Sequence, residues 1–125
     1  MKEPKIEVTG VSGNNGPLVK SVFKTDKYSV FINLDGSSGE YSTISLSIDI
    51  EGPGKDKDDF PFESEIKNVV NKDGCLMVSS VKDRAGRIFE DLCLSVKQYL
   101  SSSEINEINK YLPSLIKQLD KQYRR

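Results

Sequence analysis

The sequence predicts an α+β domain: an antiparallel β-meander of five to six strands with a C-terminal amphipathic, Pro-kinked helix packed on one face. Three observations lead there. From Ile44 to Ile50 every even position is apolar and every odd one polar, the two-residue period of a strand that buries one face. Upstream, further runs of that period are separated by clusters of turn-forming residues. Between Ile105 and Leu119, apolar residues recur instead at three- and four-residue steps, the period of a helix. A length of 125 residues suits a single domain over 1–125 with one core.

Ile6 to Val11 reads as a first edge strand, ending in the loop Gly10 to Pro17. Leu18 to Lys24 is the second strand, and the short polar turn Thr25-Asp26-Lys27 leads into Tyr28 to Leu34. Asp35 to Glu40 is rich in residues that tolerate positive φ, so it joins that run to Ile44–Ile50 as a hairpin. The composition then shifts. Glu51 to Glu65 carries a net charge of −4, with Gly52, Pro53, Gly54 and Pro61 interrupting regular structure, which predicts a loop. Ile66 to Val70 fits a helical turn or a strand end equally.

After the turn Lys72-Asp73-Gly74, the β-branched content of Cys75 to Lys82 predicts a strand. Arg87 to Leu100 matches both periods. A helix would gather Ile88, Phe89, Leu92, Cys93, Val96, Tyr99 and Leu100 on one stripe, whereas a strand would put Ile88, Leu92, Leu94 and Val96 on one face together with Glu90. The turn-like Asp83-Arg84-Ala85-Gly86 favours the strand as far as about Val96, paired with Cys75–Lys82. Ser101 and Glu104 have capping-box spacing and open the C-terminal helix. Within it Pro113 removes the bond to the Asn109 carbonyl, so a kink or break is expected near Leu112.

Composition removes many kinds of chemistry. With 18 basic and 19 acidic residues the net charge is −1, without the cationic bias that binding a phosphate backbone usually leaves. Histidine is absent, and with it imidazole acid–base catalysis and His-ligated metals. The Gly10–Gly16 loop lacks the spacing of a phosphate-cradling loop. The acidic segment fails as an EF-hand, because Phe60, Pro61 and Lys67 stand where a ligand, a glycine and a glutamate are required. Ser-x-x-Lys occurs at Ser21/Lys24, Ser79/Lys82 and Ser114/Lys117, near the chance frequency and without supporting motifs. Cys75 and Cys93 form no CxxC pair and read as two core thiols in a reducing cytoplasm. The N-terminus has charges where a signal peptide needs an apolar region, and no apolar run is long enough to cross a membrane. No catalytic residue, metal ligand or cofactor is assigned.

Elimination leaves a non-enzymatic binding protein, most concretely a small bacterial inhibitor or immunity-type protein that blocks a protein partner through an acidic loop and an open sheet face. The contacting residues would be Asp56, Asp58, Asp59, Phe60, Phe62 and Glu63, since complementary potentials steer association with a basic surface. The alternative is a single-stranded nucleic-acid-binding or transcription-associated domain. It would stack bases on Phe23 and Phe31 of an outward sheet face, with Lys20, Lys24, Arg84 and Arg87 nearby. The order of antiparallel strands followed by a long C-terminal helix resembles small single-stranded-DNA-binding coactivator folds, in topology alone. An uncovered aromatic face also fits a homodimer contact.

Overall fold

The computed structural model describes residues 17–36, 42–56 and 62–123, together with the backbone of 5–9. Five strands, β1 (Lys5–Thr9), β2 (Leu18–Lys24), β3 (Ser29–Asp35), β4 (Ile44–Glu51) and β5 (Phe62–Ile66), form one antiparallel sheet in sequence order; side chains are described for β2 to β5. Three helices follow: α1 (Val78–Val96), α2 (Ser102–Asn109) and α3 (Leu112–Tyr123). This is an α+β arrangement of an antiparallel sheet and C-terminal helices.

The alternation read from the sequence sets the inner face. Strand register aligns Val19 with Leu34 and Leu46, Ser21 with Ile32, Ile48 and Phe62, and Phe23 with Val30 and Ile50. Of these the aliphatic residues and Phe23 are almost completely buried, under Val81, Ala85, Phe89 and Val96 of α1 and Leu112, Leu115, Ile116 and Leu119 of α3. α1 packs on β4 and β5 and α3 on β1 to β3, so the two helices divide the sheet between them. Each buried large side chain contributes about 1.5–3 kcal/mol gross, before ordering entropy is subtracted.

Two expected strands are helix. Cys75–Lys82 and Arg87–Val96, on which the expected count of five to six strands relied, fall largely within α1, and Asp83–Gly86 is helix interior rather than a turn. The reason is visible over a longer window: Val81, Ala85, Phe89, Cys93 and Val96 keep a helical stripe across the supposed turn, and all five are buried. The expected pairing of Cys75–Lys82 with Arg87–Val96 therefore does not exist. Conversely, the segment expected to be entirely loop ends in β5, where Phe62, Ser64 and Ile66 alternate with the exposed Glu63 and Glu65.

Of the kink or break expected near Leu112 the structure has the break, so two separate helices stand in place of one kinked helix. α2 opens on the anticipated capping box: Ser101 N donates to Glu104 Oε1 at 2.9 Å and Glu104 N donates to Ser101 Oγ at 3.2 Å. It ends at Asn109, and Pro113 falls in the first turn of α3, where its missing N–H costs no intrahelical bond. α3 is fastened to the sheet by a side-chain amide. Gln122 Nε2 donates to the Leu18 carbonyl at 2.9 Å, and Leu18 N donates to Gln122 Oε1 at 3.1 Å.

Candidate functional site

The β4–β5 hairpin holds the residues expected to meet a protein partner. β4 ends at Glu51, and a tight turn closes with two backbone bonds between Gly52 and Lys55, of 2.9 and 3.0 Å. Glycine is required there: a Cβ on Gly52 would come within 2.4 Å of the Tyr28 ring, which stands edge-on to Tyr99 at 5.5 Å. The rigid turn thus sets where the acidic stretch leaves the sheet.

Asp56 is exposed just after this turn, and Glu63 is exposed on the outer side of β5. Phe62 has a different place. It lies in the inner row opposite Ile48, half-buried against the core, with Lys55 Nζ 5.9 Å from its ring centroid. Asp58, Asp59 and Phe60 lie outside the described residues. Lys55 itself is only 5 % exposed and donates from Nζ to the Asp56 carbonyl at 2.7 Å. Folding this ammonium inward leaves the outer surface of the hairpin to carboxylates: Glu51, Asp56, Glu63 and Glu65 are all exposed.

The six residues of the nucleic-acid alternative do not converge. Lys20, Lys24 and Phe31 share the outer face of the sheet, but Phe23, expected to point outward, is wholly buried, its ring tilted against that of Tyr111 at a centroid distance of 5.7 Å. Ser21 and Thr43 are buried too, and Ser21 Oγ donates to the Ile32 carbonyl at 2.9 Å. The register explains this, because Phe23 is opposite Val30 and belongs to the row of Ile50. Arg84 is spent on the backbone: its guanidinium donates to the carbonyls of Lys67 and of Asn68, the latter at 3.2 Å, holding the segment after β5, where Asn68 has φ +57°. Arg87 is exposed on α1, on the helical side of the sheet.

The cysteines differ from the expected pair of core thiols. Cys75 is exposed and Cys93 buried, each with a free thiol. Burial, and then the nearby charge of Glu90, push the Cys93 thiol up to about 11, away from nucleophilic use at neutral pH.

Two adjoining open clefts, of about 280 and 260 Å³, lie where the β2–β3 turn meets the start of α2; Thr25, Asp26 and Glu104 line both. Glu104 is engaged in capping, and Glu107, which lines the larger cleft, pairs with Lys110 at 3.4 Å. A third cleft of about 220 Å³ between α1 and α2 has Cys93 and Phe89 in its lining. All three are smaller than the common range for ligand pockets, about 300–1,000 Å³. Among the described residues no three Cys, Asp or Glu side chains gather in a group able to hold a metal ion, and no helix is long and apolar enough to cross a membrane. No protein-family model, no curated protein and no solved structure matches this chain.

Sequence reasoning missed the charge pattern of the outer sheet face. Among the residues whose side chains are described, its lysines stand on β2, and its carboxylates on β3, β4 and β5. The signal was the Phe62-Glu63-Ser64-Glu65-Ile66 alternation, hidden by the acidic composition around it.

Proposed function

We propose that this chain is a non-enzymatic binding protein of the small bacterial inhibitor or immunity type, acting in the cytoplasm, which covers a basic surface of a protein partner with its acidic β4–β5 hairpin. One observation carries the reading. Lys55, the only cation among the described residues of the hairpin, is folded onto Phe62 and the Asp56 carbonyl, while Glu51, Asp56, Glu63 and Glu65 stay exposed. Among its described residues the hairpin therefore presents an excess of carboxylates to solvent, which speeds encounter with a positive surface and penalises a negative one. Asp58, Asp59 and Phe60 extend the same segment and complete the contact in this reading.

Carbodiimide cross-linking in host extract tests it, because this reagent joins carboxylates to lysines in direct contact. Cross-links from Asp56, Asp58, Asp59 or Glu63 to lysines of one captured protein are expected. Their loss is expected when the four residues are changed to Asn or Gln, and so is weaker capture at high salt. Equal capture by the neutralised variant would refute the hairpin's role. The nucleic-acid alternative retains Lys20, Lys24 and Phe31 on one face, and a salt-titrated assay with a single-stranded oligonucleotide separates it: steep salt-dependent binding would favour it over the protein partner.

A further inference from the structure

The sheet ends on β5, and the bonding phase of the ladder fixes which groups face its open edge. Thr25 N donates to the Tyr28 carbonyl at 2.9 Å and Gly36 N to the Pro17 carbonyl at 2.7 Å, so in this register β3 bonds β2 through Val30, Ile32 and Leu34. The phase alternates across the sheet. β3 therefore bonds β4 through its odd-numbered residues, and β4 bonds β5 through the pairs Ile44–Ile66, Leu46–Ser64 and Ile48–Phe62. The N–H and C=O groups of Glu63 and Glu65 are left pointing away from β4, and no described residue bonds them. Lys67, next in that row, has its outward carbonyl taken by the Arg84 guanidinium, and beyond it Leu76 bridges to Val70. Among the described residues a lane about 17 Å long thus runs unfilled beside Phe62–Ile66, closed at its far end.

We propose that this edge receives an extended segment of the partner protein as a sixth, antiparallel strand carrying a basic–apolar–basic triplet. The residues opposite Glu63 and Glu65 exchange backbone bonds with them and set their side chains on the outer face, about 5.5 Å away. Two exposed carboxylates there call for lysine or arginine. Lys67 is exposed at the closed end, and Arg87 and Asp91, further round α1, are exposed with opposite sign, so the negative charge beside the lane is concentrated at Glu63 and Glu65. The middle residue of the triplet points to the inner side, beneath the flank of α1 that overhangs this edge. Arg84 marks that flank, and Ile88 and Leu92, one and two turns further on, are half-buried, as Phe62 is on β5. An apolar side chain opposite Ser64 extends their burial.

The same two glutamates disfavour a second copy in the lane. Pairing two β5 edges about Ser64, or about Glu63, sets glutamate on glutamate. The shift that brings Lys67 of one copy to Glu63 of the other needs the Lys67 carbonyl, which Arg84 already holds. Charge on an exposed edge keeps a sheet from pairing with its own kind and leaves it open to a strand of opposite charge. Strand addition rests on the partner-binding reading and gives it a geometry, in which backbone bonds supply affinity and alternate side chains supply specificity.

A capped peptide, acetyl-Thr-Lys-Val-Lys-Thr-amide, tests the edge, with the amide shifts of the protein followed by NMR. Saturable shifts centred on Glu63 and Glu65 are expected, with a dissociation constant of about 1 mM or below. Methylating both lysine backbone nitrogens, which face β5, should weaken binding about tenfold or more; methylating the valine nitrogen, which faces away, should change it less than about twofold. Replacing both lysines of the peptide by glutamate should abolish binding to the parent and allow it to Glu63→Lys/Glu65→Lys, whose fold circular dichroism checks. No shift at millimolar peptide, or equal binding of the two methylated peptides, would overturn strand addition. In host extract, a cross-linked basic protein that leaves amide exchange at Glu63 and Glu65 unchanged would overturn it too, with the partner reading intact. Peptide binding without capture of any basic protein would instead uphold the edge and refute the partner.

Discussion

Gly86 shows what a single residue can conceal. It reads as the last place of a turn, yet it occupies the interior of α1, with open space where a Cβ would stand. A glycine in a helix interior costs about 0.5–1 kcal/mol relative to alanine, chiefly through backbone entropy. Gly86→Ala should therefore raise stability by roughly that amount, seen as a higher urea midpoint at unchanged slope. Cys93 carries a pH signature. Its thiol is raised from 9.0 to about 11 by burial and by the Glu90 charge, so the folded state holds the proton more tightly than the unfolded chain. Its contribution to stability is fully present below pH 9.0 and is lost as pH climbs from there through about 11. Denaturation curves should show the parent losing more stability across that window than Cys93→Ala does, other titrations being common to both.

Among elements, legibility followed how local the determining contacts are. β4 and the α2 capping box were readable because alternation and Ser101–Glu104 pairing are properties of a few adjacent residues. α1 was not, because Arg87–Leu100 satisfies two periods and only the longer register from Val81 to Val96, seated on β4 and β5, selects one. The attachment of α3 was beyond reach for the same reason: nothing local joins Gln122 to Leu18. That contact nonetheless gives both backbone polar groups of Leu18 a side-chain partner, and Gln122 is 4 % exposed. Gln122→Ala should cost about 1–3 kcal/mol, since it leaves a partly buried donor and acceptor without that partner. Chemical denaturation reads the loss, and faster amide exchange at Leu18 locates it.

At the scale of the molecule, the α+β class and the succession β1 to β4 followed from composition and pattern. The two faces of the sheet were harder. Phe23 and Phe31 both looked available from sequence, and only the pairing of Phe23 with Val30 shows that one ring is core and the other is not. The candidate site was legible in the same uneven way: the acidity of Glu51–Glu65 is plain in the composition, but the inward fold of Lys55 and the edge strand β5 exist only after β4 supplies a neighbour. Charges that look balanced along the chain become separated once four strands are laid side by side.

The Gln122–Leu18 clasp spans 104 positions. During synthesis at about 5–20 residues per second, Leu18 waits roughly 5–20 s for the glutamine that completes its bonding. α1 is made before α3, so by the end of that interval only α3 is missing, and the apolar rows of β2 and β3, on which α3 packs, stay exposed until that helix leaves the ribosome.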